Sequence, residues 1–235
     1  MTQCAIMQPT YLPWAGYFNL IASVDKFVFL DTVQLDRRSW QTRNRILLNE
    51  NIHMLSVPVR KAPRSVLIKD VAVADDTQWR KKHLMLLEHA YRKAPFGDDI
   101  LDLLSPIIGA RLYDSLALLN ITIIEAIASS LTLKNAEMIA ASSLNSDGKR
   151  SEYLRNICEE IRCNSYLSPV GSAEYLAEDQ FSQLSDIQLE IQDFSPTSYP
   201  QWKAKEFTSH LSIVDVVANL GFEETRKYCL GLVGG

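Results

Sequence analysis

The chain has 235 residues, 47% of them hydrophobic and 22% charged, with 24 Lys+Arg against 28 Asp+Glu and a net charge of -4. That balance fits a globular protein and excludes collagen-like, disordered and coiled-coil classes. A histone-like basic coat is excluded too, although local cationic patches are not.

The longest apolar stretch, Leu112 to Leu133, is interrupted by Asp114, Asn120 and Glu125. No window reaches the roughly 18 apolar residues of a membrane span, so no membrane insertion is expected. The start, MTQCAIMQP, carries neither a basic region nor a small-residue cleavage site. A cytoplasmic location is therefore the expectation. Cys4, Cys158, Cys163 and Cys229 are scattered and form no C-x-x-C pair. They read as reduced, mostly buried thiols, and no metal is expected.

In chain order, Cys4 to Met7 is a short apolar run ending before Pro9, which predicts a buried strand. Tyr17, Leu20, Ile21 and Val24 recur at helical spacing, and Lys26 to Leu30 is a second apolar run. Strand, helix and strand within about thirty residues make a βαβ unit of a parallel sheet. Arg45–Leu48 and His53–Val59 flank Asn49-Glu50-Asn51, a hairpin signal without the tight Asn-Gly turn. Val66 to Val73 reads as a further strand. Asp75 to Lys93 predicts a helix closed by Pro95, with Trp79, His83, Leu86, Leu87, Ala90 and Tyr91 on one face. Tyr113–Leu131 predicts another helix, Ala136–Ala141 a strand and Lys149–Arg162 an amphipathic helix. Ser165–Leu167 reads as a short strand, Ile187–Ile191 as an edge strand, and Ser212–Leu220 as a helix stopping at Gly221. The whole predicts one α/β domain over 1–235. Its Rossmann-like parallel sheet is flanked by helices, with a β-hairpin insertion and a partly helical C-terminal segment. A subdomain from about 145 is the alternative division.

Loops after strands are where chemistry is expected, because ligands of open α/β sheets bind at the carboxyl ends of strands. The first such loop, Gln8-Pro9-Thr10-Tyr11-Leu12-Pro13-Trp14-Ala15-Gly16-Tyr17-Phe18, combines a polar strand end, two prolines, a glycine and large aromatics. A rigid aromatic turn is the structural alternative. Its Trp14-Ala15-Gly16-Tyr17 lies where nucleotidyltransferases and pantothenate-synthetase-like ligases, which it resembles in placement, carry H-x-G-H. The glycine is kept and both histidines are absent. Asp31 follows the second strand, near Gln34, and offers a carboxylate for a metal, an amine or a ribose; alternatively it caps a turn. From 37 to 64 there are seven basic residues (Arg37, Arg38, Arg43, Arg45, Arg60, Lys61, Arg64) against one acid, Glu50. Arginine forks match phosphate, and Trp40 beside them offers a stacking face. A solvated loop is the plain alternative, and a nucleic-acid groove is not expected from so short a patch.

His83 stacks with Trp79 at i, i+4 on the predicted helix. It reads as a core histidine or as a general acid or base. The loop Ser142 to Arg150 carries Lys149 and Arg150 to a helix start, where phosphate binding or a simple Ser146 or Asp147 cap would fit. Ser168, Gly171 and Tyr175 follow another strand, but the segment is not G-x-S-x-G, so no hydrolase elbow is expected. Ser212 and Asp215 match a capping box, and His210 beside them is a candidate proton carrier.

Taken together, AIMQPTYLPWAGYFNLI, DKFVFLDTVQ, RNRI after Trp40, WRKKH with the later AYRKAP, SDGKRSEYL, SYLSPVGSAEYL and LSIVDVVANLG resemble the WbqC-like protein family, in the family's order and over nearly the whole chain. The resemblance implies functional positions at Gln8, Pro9, Tyr11, Gly16, Tyr17, Asp31, Gln34, Arg43, Asn44, Arg45, His83, Lys149, Tyr166, Ser168, Gly171, Tyr175, Ser212 and Asp215, without saying which are catalytic. Members are similar to genes of O-antigen and other surface-polysaccharide clusters, which implies a transferase or ligase. The expectation is thus group transfer on a phosphate-bearing small molecule, with ATP or a nucleotide-sugar as substrate. Arg38, Arg43, Arg45 and Lys149 would meet phosphate and Tyr11, Trp14 and Trp40 would hold a ring. Gln8 and Asp31 would orient the acceptor, and His83 or His210 would move the proton. A non-catalytic nucleotide-binding or scaffold module is the second expectation, and a nucleic-acid modification enzyme the third. Homo-oligomerisation is left open.

Overall fold

The computed structural model describes residues 1–232 apart from 37, 76, 111, 134, 135 and 185, and leaves the side chains of Ala110 and Leu184 undescribed. Arg37 of the basic stretch thus lies outside the described residues. Five strands form one parallel sheet: β1 (Gln3–Met7), β2 (Lys26–Phe29), β5 (Glu137–Ala140), β6 (Ser165–Ser168) and β7 (Gln188–Ile191), ordered β5-β2-β1-β6-β7. β3 (Arg43–Leu48) and β4 (Asn51–Ser56) form a separate antiparallel hairpin.

The central strands are apolar on both faces because both are covered. Side chains alternate along a strand, so Ala5, Phe27 and Phe29 enter one core while Cys4, Ile6 and Val28 enter the other. The first core is covered by α1 (Ala15–Ser23), α2 (Trp79–Tyr91), α3 (Gly97–Ser105), α4 (Leu116–Ser130) and α8 (Ile213–Cys229). The second is covered by α5 (Arg150–Glu160), α6 (Ala173–Glu178) and α7 (Phe181–Leu184). After β5 the chain crosses back over the sheet to β6, on the other side of β1. The chain leaves β1 and β6 toward opposite faces, and the crevice between their carboxyl ends is the switch point of the sheet.

Several local expectations change. The segment 66–73 is not a strand: it holds a 3₁₀ turn, Ile68–Asp70, and two isolated bridges, Gln34 with Leu67 and Val59 with Val73. The hairpin turn is a tight two-residue one, with Asn49 (φ 50) and Glu50 (φ 63) both left-handed and Leu48 facing Asn51. α3 and the π turn Pro106–Ala110 are additions to the expected elements; Asp98 and Asp99 in the first turn of α3 and its buried Ile100, Leu101 and Leu104 are a helix signal that the flanking prolines hide. α3 starts at Gly97, where a Cβ would lie 1.7 Å from the Tyr91 carbonyl, so only glycine lets the chain turn this close to the end of α2. The last helix does break at Gly221 (φ 75), as expected, but resumes and runs to Cys229.

Candidate functional site

A cleft of about 250 Å³ opens at the carboxyl end of β1. Met7 and Thr10 line it from the strand end, and Pro13, Trp14 and Tyr17 from the start of α1. Trp40, Asn44 and Arg45 come from the hairpin and its approach, and His210 from the segment before α8. Of the candidate residues, Trp14, Tyr17, Trp40, Asn44, Arg45 and His210 are brought together here.

Each wall has a local cause. Trp14 is the N-cap of α1 without a side-chain cap bond, so its indole is free to lie over the helix start. A Cβ on Gly16 would sit 2.2 Å from that indole, so the glycine is what lets it lie there. The indole stacks on His210, centroids 4.8 Å apart and planes at 29°. Arg45 sits over Trp40, its Cζ 5.5 Å from the ring centroid, and Nη2 donates to the His210 carbonyl at 2.8 Å. The Asn44 amide donates to the Tyr11 and Leu12 carbonyls, at 3.1 and 2.9 Å, and so ties the hairpin to the β1 loop. Tyr17 is buried and its hydroxyl donates to the Gln8 carbonyl at 3.1 Å. The Nε atoms of Arg43 and Arg45 are buried and have no hydrogen-bond partner among the described residues. Because β3 alternates, Arg43 and Arg45 share the strand face opposite buried Asn44 and Ile46.

The remaining candidates occupy other places. Gln8 accepts from the Gln41 side chain and is not part of the cleft lining. Asp31, buried at the end of β2, accepts from the Ser142 amide at 2.9 Å and hydroxyl at 2.6 Å, so its carboxylate clasps β2 to the loop after β5. Tyr11 and His83 are buried and bonded to each other, Tyr11 Oη to His83 Nδ1 at 2.9 Å. Burial lowers the His83 pKa to about 4 against a smaller upward pull from a hydrogen bond to the Ser56 backbone. The neutral ring thus donates to Ser56 and accepts from Tyr11. Gln34 lines a separate open depression with Leu35, Asp36 and Arg64, and Arg38 is exposed in a left-handed conformation (φ 68). Lys149 is the exposed N-cap of α5 and makes no side-chain cap bond. Neither Ser146 nor Asp147 caps that helix. Asp179 accepts from the Ser151 hydroxyl at 2.7 Å and from Arg150 Nε at 3.0 Å, so an internal carboxylate already occupies the helix start. Ser168 is fully buried at the end of β6, Gly171 is exposed with open space where a Cβ would stand, and Tyr175 packs on the second core. Ser212 does cap α8, accepting from the Val214 amide at 3.3 Å. Asp215 instead turns inward to Tyr91, Tyr199 and Gln201, away from His210.

Two residues that hold the cleft without lining it escape a reading of the sequence. Asn120 on α4 donates to the Pro9 and Gln41 carbonyls, at 3.0 and 2.8 Å, and so ties the loop after β1 to the approach to β3. Its one signal is a polar residue on an apolar helix face. Gln192 after β7 donates to the Gly16 carbonyl at 2.8 Å and carries no sequence signal.

The family pattern of WbqC-like proteins matches residues 8–227. The Mycobacterium tuberculosis (strain ATCC 25618 / H37Rv) protein named Uncharacterized protein Rv1507c is 33% identical over 233 residues, covering 97% of this chain and 99% of the relative. No solved structure matches. On both the family match and this full-length relative, the chain belongs to the WbqC-like protein family.

Proposed function

We propose that the cleft at the end of β1 binds the ring of a phosphate-bearing substrate and that the protein is a transferase or ligase. The observation that carries this reading is the pairing of two aromatic walls, Trp14 on His210 and Trp40 under Arg45, with arginine Nε atoms that are buried and unbonded among the described residues. A buried arginine nitrogen without a partner costs free energy unless a ligand completes it. Phosphate or carboxylate is the ligand whose geometry suits the fork.

Size narrows the substrate. Sites for whole drug-sized ligands run to about 300–1,000 Å³. A cleft of about 250 Å³ takes one ring, a base or a hexose. The phosphates then lie at its mouth against Arg43 and Arg45. His210 is the proton carrier on this reading, since Nδ1 is engaged by the Ser209 hydroxyl at 2.9 Å and Nε2, which has no hydrogen-bond partner among the described residues, is left for the reacting group. His83 serves the fold, as a neutral ring beneath Tyr11.

Calorimetric titration with ATP, other nucleotides and nucleotide-sugars tests the reading. Binding is expected for at least one, weakened roughly tenfold to a hundredfold by Arg45→Ala. Absence of binding by every phosphate compound to folded protein refutes it. Binding without turnover by any acceptor favours a non-catalytic nucleotide-binding module.

A further inference from the structure

A second groove lies on the far side of the hairpin, between β4 and α2, with a volume of about 830 Å³. Nothing in the proposed transfer reaction uses it. Its floor holds Trp79 and the buried His83, and its rim carries Met54, Met85, Lys81 and Lys82.

Backbone arithmetic makes one edge of this groove unusual. In a two-residue hairpin the residues flanking the turn form a hydrogen-bonded pair, and such pairs alternate with non-bonded ones. Leu48 with Asn51, Ile46 with His53 and Asn44 with Leu55 are therefore the bonded pairs, and Ile52, Met54 and Ser56 point their N–H and C=O groups outward. The same rule sends Arg45 and Leu47 outward on β3, and there the edge is occupied: the Ser212 amide donates to the Arg45 carbonyl at 2.9 Å, and the Leu47 amide donates to Tyr91 Oη at 3.1 Å. On β4, Ser56 is engaged by the His83 ring. The outward backbone groups of Ile52 and Met54 have no partner among the described residues. An uncovered strand edge of this kind is a template for another strand.

The side chains around that edge say what kind of strand. Ile52, Met54 and Met85 are 53%, 39% and 59% exposed, far more than a monomer's core residues. Among the described residues, Lys81 and Lys82 make no ion pair and no carboxylate lines the groove. A second copy of this chain would bring the same two lysines against themselves.

We propose that β4 receives an extended, acidic polypeptide segment as an added strand. Its main chain bonds Ile52 and Met54, its apolar side chains cover Met54 and Met85, and its carboxylates meet Lys81 and Lys82. Free main-chain donors and acceptors in strand register read a peptide backbone, which a nucleic acid does not present.

Fluorescence anisotropy tests this with a labelled eight-residue peptide alternating glutamate and isoleucine. Its controls are the lysine–isoleucine counterpart, the glutamate peptide N-methylated at alternate amides, and a single-stranded RNA. The acidic peptide is expected to bind at least tenfold more tightly than each of the three. The Lys81→Glu/Lys82→Glu protein is expected to lose about tenfold in affinity with an unchanged circular dichroism spectrum. N-methylation leaves the protein untouched, so its effect is independent of any folding defect. No binding up to about 1 mM, equal binding of the N-methylated peptide, or tighter binding of RNA would each overturn the proposal.

Discussion

Trp14 and His210 come from opposite ends of the sequence, yet their rings stack with centroids 4.8 Å apart, and this contact forms one wall of the cleft. Gly16 is what permits it, since a Cβ there would sit 2.2 Å from the indole. Gly16→Ala is therefore expected to displace Trp14, destabilise the fold by about 1–3 kcal/mol through overpacking, and abolish the ring binding proposed for the cleft. The double variant Gly16→Ala/Trp14→Ala should recover most of that stability, because the clashing partner is gone. Additive losses in a denaturation double-mutant cycle would show that the glycine acts elsewhere.

The parallel sheet is legible because its strands are unbroken apolar runs, Cys4–Ile6 and Phe27–Phe29, with helical periodicity between them. The cleft is legible in part, since Trp14, Tyr17, Trp40, Asn44, Arg45 and His210 stand in segments that polar and aromatic residues mark out. Partnership is what cannot be read. Asp31 has the same sequence signature whether it meets a substrate or, as here, clasps Ser142 in the loop after β5. His83 likewise has one sequence signature whether it moves a proton or, as observed, bonds Tyr11 and Ser56. Pairings across more than a hundred residues are set by how helices and sheet pack, and local pattern carries no record of them.

The β3–β4 turn is strained in a way that can be relieved. A turn with two left-handed residues favours glycine at the second, and Glu50 stands there at φ 63. A side chain in this conformation costs roughly 1–2 kcal/mol, while the exposed Lys205–Glu50 ion pair at 3.3 Å returns little. Glu50→Gly is expected to stabilise the protein by up to about 1 kcal/mol, read as a higher denaturant midpoint at constant slope. A lower midpoint would mean that the ion pair or the backbone stiffness of Glu50 matters more than the strain.

The buried His83 sets a pH dependence. Its folded pKa is about 4 against the ordinary 6.5, so the unfolded chain binds a proton first as pH falls. Stability is therefore unaffected above about 6.5, declines between 6.5 and 4, and levels off below 4 once the folded ring is protonated too. The full decline attributable to this group approaches about 3 kcal/mol. Denaturant midpoints measured from pH 7 to 4 should fall for the native protein and fall less for His83→Gln. Parallel profiles for the two proteins would show that the ring is already solvated.

Asp215 links three segments. Its carboxylate accepts from Tyr91 Oη at 3.0 Å, Tyr199 Oη at 2.7 Å and Gln201 Nε2 at 2.9 Å, and Tyr91 Oη in turn accepts from the Leu47 amide. Helix α2, the hairpin and the segment before α8 are thus held through one side chain that is 1% exposed. Burial raises its pKa, so the charge is held at a cost that these donors offset. Removing the acceptor strands buried donors, each worth about 1–3 kcal/mol. Asp215→Ala is expected to destabilise by at least about 3 kcal/mol and to loosen the segment carrying His210, seen as faster amide exchange over 199–212. Asp215→Asn removes the buried charge while keeping one carbonyl acceptor, and should cost clearly less than the alanine change. Equal losses of stability in the two variants would show that the remaining carbonyl acceptor does not hold this corner together.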